Sequence, residues 1–240
     1  MTKPQKSDWP LVVLSILAGI IAAAHVGKMP PALPLLRADL GLSIVQAGWT
    51  ISIIAAMAMA TGMVAGMVAD RIGHRRLLII GLAIMALGSA TGALASGSEL
   101  MLVSRFFEGI GYISIAVAAP SLIIMSILPH LRQVVMGVWS SWMPAGIAIS
   151  MFMSPLILGP FGWRPLWMFW AAVTGGLALI LMIRRASPPA FVKSDEQGHS
   201  FGGSLRLIFS RPGPTILAVN FGLFAAQGGS IMIGLPSFMV

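Results

Sequence analysis

The stretch Gly66-Met67-Val68-Ala69-Asp70-Arg71-Ile72-Gly73-His74-Arg75-Arg76 joins two long apolar runs, Ser43–Val68 and Leu77–Ser96. A helix that crosses the hydrocarbon core of a bilayer needs about 20 mostly apolar residues. Both runs meet that length. The charged residues between them then form a turn at the membrane surface. Gly66 permits a close approach to a neighbouring helix. Asp70, at the end of its run, can pair with basic groups or accept bonds from a nearby helix N-terminus.

The same alternation extends over the whole chain. Apolar stretches run over about Pro10–Leu36, Ser43–Val68, Leu77–Ser96, Glu99–Leu128, Arg132–Leu158, Pro165–Ile183 and Pro214–Met239. Charge, Gly or Pro separates each from the next. Ser43 followed by Gln46 fits a capping box opening the second span. Runs of this length exclude the alternating pattern of a membrane barrel. Composition agrees: 57% of residues are hydrophobic, 9% are charged, and the mean hydropathy is +0.92. A soluble domain carries roughly 25% charged residues, and this chain in water would expose large apolar patches. With no cysteine, disulfides, zinc-thiolate sites and thiol nucleophiles are excluded. Lys3 and Lys6 ahead of a run reaching Ala22-Ala23-Ala24 resemble a signal peptide. The run outlasts such a region, which favours an uncleaved span.

Lys and Arg in the loops set the orientation. With the N-terminus in the cytoplasm, Lys3, Lys6, Arg71, Arg75, Arg76, Arg132, Arg184, Arg185, Lys193, Arg206 and Arg211 lie inside. Only Arg37 and Arg164 lie outside. The net charge of +8 is therefore a topology signal, and nucleic acid is not an expected partner. The expected organisation is a six-helix bundle over residues 1–185, a cytoplasmic linker over 186–212 and a seventh helix over 213–240. Gly203 to Phe209 fits a short helix lying on the membrane surface. Gly73-His74-Arg75-Arg76-Leu77 is echoed by Gly162-Trp163-Arg164-Pro165-Leu166, which would fit a three-plus-three inverted repeat.

The loop after the second span resembles the signature of the major facilitator superfamily: Gly, three residues, Asp, a basic residue, any residue, Gly, then basic residues. His74 departs from the usual Arg or Lys. The fourth span adds Arg105-Phe106-Phe107-Glu108-Gly109-Ile110-Gly111, similar to the family's second motif with Glu108 in place of Gln. The first loop, from Leu33-Pro34 to Gly41-Leu42-Ser43, has the family's look as well. The resemblance implies an all-α membrane protein: a six-helix N-terminal bundle, then the first helix of a second bundle. It implies alternating access by rocking of two bundles. It also implies a conformational latch at Gly66, Asp70, Arg71, Gly73, Arg75 and Arg76, against the plainer reading of a basic anchor loop. The family normally has twelve helices, so the resemblance implies a fragment or a truncated gene product, with a C-terminal half to supply. The Gly-Pro pattern associated with antiporters is not matched cleanly in the fifth span, which has Gly137, Pro144 and Gly146. That tilts the reading toward uptake or symport.

Ionised side chains within a span cost at least ~2.5–3.5 kcal/mol on insertion scales and are functional candidates by default. His25 and Lys28 share one face of the first span, and Arg105, Glu108 and Tyr112 share one face of the fourth. The resemblance implies that these two helices line the central cavity. The reading is then a substrate site at His25, Lys28, Arg105 and Tyr112 for a small anionic solute, Arg105 acting through its bidentate fork. Asn220 and Gln227 of the seventh span would bind from the opposite side. Glu108 is the proton-coupling candidate. Plainer readings stand beside these. Lys28 would snorkel outward. Arg105 and Glu108 would neutralise each other. His25, Asn220 and Gln227 would serve packing or interhelical bonding. Prolines 30, 31 and 34 would bend the outer end of the first span.

The expected function is secondary active transport of a small anion, coupled to protons, in a bacterial inner membrane. The alternatives are a drug-type exporter of the same fold and a non-transporting membrane fragment. No His-Glu-x-x-His or phosphate-binding Gly-x-x-x-x-Gly-Lys loop occurs. Neither an enzyme, a cofactor, a bound metal nor an ATP-driven pump is expected.

Overall fold

The computed structural model describes residues 7–184. The linker, the seventh span, Asn220 and Gln227 lie outside the described residues. Among the described residues, six segments are long and apolar enough to cross a membrane. Large apolar side chains such as Leu17, Phe107, Phe152 and Leu179 face outward, as a lipid solvent requires.

Helix α1 (Trp9–Gly27) is capped by Asp8, whose carboxylate accepts from Leu11 N at 3.2 Å. Helix α2 (Met29–Leu40) continues it after a break at Lys28. The cause is Pro30 and Pro31, which have no N–H to return to Val26 and Gly27. The prolines thus act one turn deeper than a bend at the outer end. Gly41, at φ 62°, ends α2 in the left-handed region, which glycine enters without steric cost. Helix α3 (Ile44–Ile72) opens with the expected capping box: Ser43 N donates to Gln46 at 3.0 Å, and Gln46 N donates to Ser43 Oγ at 3.2 Å.

Helices α4 (His74–Ala93) and α5 (Ser98–Ser126) cross closely. A Cβ on Gly111 would stand 2.6 Å from Gly81 O. The fifth span is not one helix. A 3₁₀ turn at Pro129–Leu131 leads into α6 (Arg132–Trp139), and α7 (Trp142–Phe161) follows a break at Ser140-Ser141. Pro144 has no N–H for Ser140 O. The two serine hydroxyls instead bond back to Met136 O (3.0 Å) and Val138 O (2.7 Å), a competition that interrupts helices. Gly146 of α7 seats α1: a Cβ there would lie 2.1 Å from Ile20 O. Such small-residue contacts let membrane helices pack backbone to backbone. Helix α8 (Trp163–Ile183) closes the described bundle.

The sequence echo proves to be a shared turn. Gly73 and Gly162 each stand alone between two helices, at φ 90° and 79°. The turns lie at opposite ends of the bundle. Arg75 and Arg184 lie at the end that holds Asp8, and Arg164 at the end that holds Asp39.

Candidate functional site

Two helices, α1 and α5, bring charge into the interior. The break after Gly27 turns Lys28 inward from the end of α1. Arg105 and Glu108, one turn apart on α5, face it. His25, Lys28, Arg105 and Glu108 are all 0% exposed. Lys28 therefore does not snorkel. The four close upon one another rather than on an open chamber.

Glu108 is the centre. Its Oε1 accepts from Lys28 Nζ at 2.6 Å and stands 3.1 Å from His25 Nδ1. Its Oε2 pairs with Arg105 Nη1. Arg105 also donates from Nη1 to His25 O and from Nε to Thr50 O, each at 3.0 Å. Its Nη2 has no partner among the described residues. Lys28 donates to Ser89 Oγ of α4 at 2.8 Å and lies 4.4 Å from the Trp167 ring centroid of α8. His25 Nε2 meets Thr174 Oγ1 of α8 at 2.8 Å. The cluster thus joins α1, α3, α4, α5 and α8. Two cations share one carboxylate, so one positive charge is left over while His25 is neutral. Taking such charges out of water costs several kcal/mol per ion; multiple short bonds to Glu108 offset part of that.

Tyr112 stands apart. It is half-buried, its hydroxyl 4.0 Å from Met143 Sδ and its ring 5.8 Å from that of Trp142. Sharing a helix face with Glu108 did not bring it to the same site. Of the latch residues, Arg75 donates to Leu181 O at 2.7 Å and to Arg184 O, tying α4 to the C-terminal end of α8. Asp70, Arg71 and Arg76 are exposed. A Cβ on Gly66 would meet nothing within 4 Å among the described residues.

Ser89, Thr174 and Thr50 are site residues that sequence reasoning missed. Ser89 and Thr174 turn their hydroxyls toward the charges and Thr50 offers its backbone carbonyl, which only the helix rotations reveal. At the far end of the bundle Asp39 accepts from Trp163 Nε1 (2.9 Å) and Arg164 Nη1 (2.7 Å). Arg164 Nη2 donates to Ala95 O at 3.2 Å. The two donors, Trp163 first, hold the Asp39 carboxyl below the usual carboxylate range by favouring its charged form. An open cleft of about 480 Å³ beside this clasp is lined by Leu35 and Phe161 among others. It is distinct from the buried cluster.

The family model described as Major Facilitator Superfamily matches residues 9–240. The chain is 27% identical over 242 residues to the multidrug efflux pump LfrA of Mycolicibacterium smegmatis, covering 98% of this chain and 47% of that protein. It is 29% identical over 214 residues to the multidrug resistance protein MdtL of Escherichia fergusonii, covering 87% and 54%. Among solved structures, the inward open conformation of the xylose transporter XylE from E. coli matches with a TM-score of 0.67 at 16% identity, over 92% of this chain and 56% of that one. At that identity the likeness shows the fold alone. The chain spans about half the length of the curated relatives it matches. With six spans around a charged interior and a family match reaching from α1 to the last residue, this multi-pass membrane chain belongs to the Major Facilitator Superfamily, a transport fold and not an enzyme fold.

Proposed function

We propose that this chain supplies the N-terminal half of a secondary transporter that works by alternating access and extrudes amphipathic organic solutes in exchange for protons. The observation that carries this reading is the meeting of Lys28 and Arg105 on Glu108. Both cations are already neutralising a carboxylate, so neither presents an open fork to a solute anion. The similarity to two proteins named for multidrug efflux or resistance supports the same direction. On this reading Glu108 couples transport to protons: protonating it releases both cations, and a change of that size can bias a two-state bundle. The N-terminus lies in the cytoplasm of a bacterium, the basic end of the bundle facing inward. The basic turn around Gly73 serves as the latch.

A second reading, uptake of a small anion, has one observation in its favour. The cluster has one cation more than it has anions, and Arg105 Nη2 has no partner among the described residues. Proteoliposomes containing the full-length gene product separate the two. Under an imposed pH gradient, export of an amphipathic dye that is lost in Glu108→Gln supports the exporter. Gradient-driven uptake of small carboxylates, lost in Arg105→Ala, supports the anion carrier instead and overturns the exporter.

A further inference from the structure

With Lys28 as an ammonium and His25 neutral, the buried network admits one proton arrangement in which no donor faces another donor. Lys28 Nζ carries three N–H donors and no acceptor. It stands 2.6 Å from Glu108 Oε1, 2.8 Å from Ser89 Oγ and 3.2 Å from His25 Nδ1. Three donors meet three acceptors only when Nδ1 holds a lone pair. On the other side of the ring, Nε2 lies 2.8 Å from Thr174 Oγ1. Thr174 has one hydroxyl hydrogen, and it goes to Trp170 O at 2.7 Å. Thr174 therefore accepts, and Nε2 donates. Ser89 repeats the pattern: its hydrogen goes to Trp167 O at 2.8 Å, which leaves its oxygen to accept from Lys28. The neutral imidazole that satisfies both sides is the Nε2–H tautomer. The other tautomer would offer Nδ1–H to Glu108 Oε1 at 3.1 Å but set it against the ammonium at 3.2 Å and leave that third Lys28 donor without an acceptor.

We propose that Thr174 pins His25 as the Nε2–H tautomer, so that Lys28 and His25 share one exchangeable proton along Nζ–H···Nδ1, with Glu108 as counter-ion to either. In the transfer one N–H bond of Lys28 breaks and an Nδ1–H bond forms. Lys28 becomes a neutral amine and His25 an imidazolium. The new Nδ1–H faces Glu108 Oε1 at 3.1 Å, and Nε2–H keeps Thr174. Two cations and one anion are present before and after. Creating a new buried charge is the costly event, and this step moves a charge without creating one. Arg105 is the remaining charged neighbour: its Nη1 donates to His25 O and pairs with Glu108. The Trp170 ring, 6.2 Å from the imidazole, adds no charge. Thr174 is a positioning residue on α8. It acts through His25 and ties the imidazole to the sixth span. The role in coupling rests on the transporter reading above; the tautomer does not.

The test is solid-state NMR of the full chain in lipid bilayers at pH 7 with ¹⁵N-labelled histidine, His25 being assigned by its loss in His25→Asn. The expected signals are a protonated Nε2 and an unprotonated Nδ1. A dominant Nδ1–H form in the wild-type protein overturns the proposal. Thr174→Val removes the pinning acceptor and is expected to lower the Nε2–H to Nδ1–H ratio by about fivefold, the worth of one net hydrogen bond; Thr174→Ser keeps the ratio. No change in Thr174→Val removes Thr174 from the role. Lys28→Met leaves Nδ1 facing Glu108 alone and is expected to convert His25 to imidazolium at pH 7. An unchanged neutral signal there overturns the shared proton. The predicted NMR pattern in a protein without gradient-driven transport would leave the pinning standing and remove only its role in coupling.

Discussion

Glu108 inside the bundle and Asp39 at its far end are built alike and differ in their access to water. Glu108 takes Lys28 at 2.6 Å, and Asp39 takes Arg164 at 2.7 Å. Each carboxylate has a further donor, Arg105 in one case and Trp163 in the other. The side chains of the inner pair are 0% exposed and those of the outer pair 45–48%. Equal geometry therefore carries unequal energy. Water already stabilises the outer charges and screens their attraction, so such pairs usually contribute little. The inner charges have lost their water and depend on one another. The outer group is a clasp that orients α2 against α8. The inner group has to remain complete or be compensated, which is the property a coupling site needs.

Glu108→Gln is the sharpest way to break this contrast. It strands Lys28 and Arg105 without a counter-ion, and breaking a buried pair costs about 3–5 kcal/mol. Thermal unfolding in detergent should show a large drop, with Asp39→Asn close to wild type. Equal effects from the two substitutions would mean that water reaches Glu108 and that the contrast is false. A smaller effect is expected from a double-mutant cycle of Lys28→Met with Glu108→Gln. Removing both partners should restore part of the loss, for a coupling of about 2 kcal/mol. The matching cycle of Asp39→Asn with Arg164→Gln should be additive within error.

The contrast also shows what the sequence could express. Helix α3 was legible because Ser43 and Gln46 announce its start and an unbroken apolar run follows. The breaks at Lys28 and Ser140-Ser141 were less so. Pro30, Pro31 and Pro144 were visible, but their effect depends on which carbonyl each leaves without a donor. Lys28, Arg105 and Glu108 drew attention as costly residues in a span. Whether they faced a solute or one another depends on helix rotation, which periodicity does not fix when apolar residues surround the whole helix. Tyr112 illustrates the limit: a position four residues beyond Glu108 shares its face, yet the break before α7 sets it against Met143 and Trp142. Ser89 and Thr174 give no signal in sequence, because hydroxyl residues in spans more often bond to their own helix.

Salt should separate the two groups by a smaller margin. At 1 M the screening length is about 3 Å. Screening then weakens the Asp39–Arg164 attraction and leaves the dry Glu108 pairs unchanged. The stability difference between wild type and Arg164→Gln should shrink in high salt, and that between wild type and Lys28→Met should persist. A salt-sensitive Lys28→Met difference would indicate solvent in the interior cluster.

The smallest expected effect is the acid response of the clasp, and its sign follows from Asp39. The folded protein holds this carboxyl below its usual range through Trp163 and Arg164. A depressed carboxyl stabilises the fold at pH values above its unfolded pKa of about 3.9. The contribution is lost as pH falls from there through the lower, folded value. The Tm difference between wild type and Asp39→Asn should therefore be flat from neutral pH down to about pH 4 and diminish only below it. A difference that already fades well above pH 5 would show that Asp39 is not held down. The clasp would then contribute nothing beyond an ordinary surface carboxylate. A difference that survives undiminished in strong acid would assign it to the shape of the Asp39 side chain rather than to its charge. Either result would remove the electrostatic half of the comparison at the outer end and leave Glu108 as the carboxylate of the two whose charge matters.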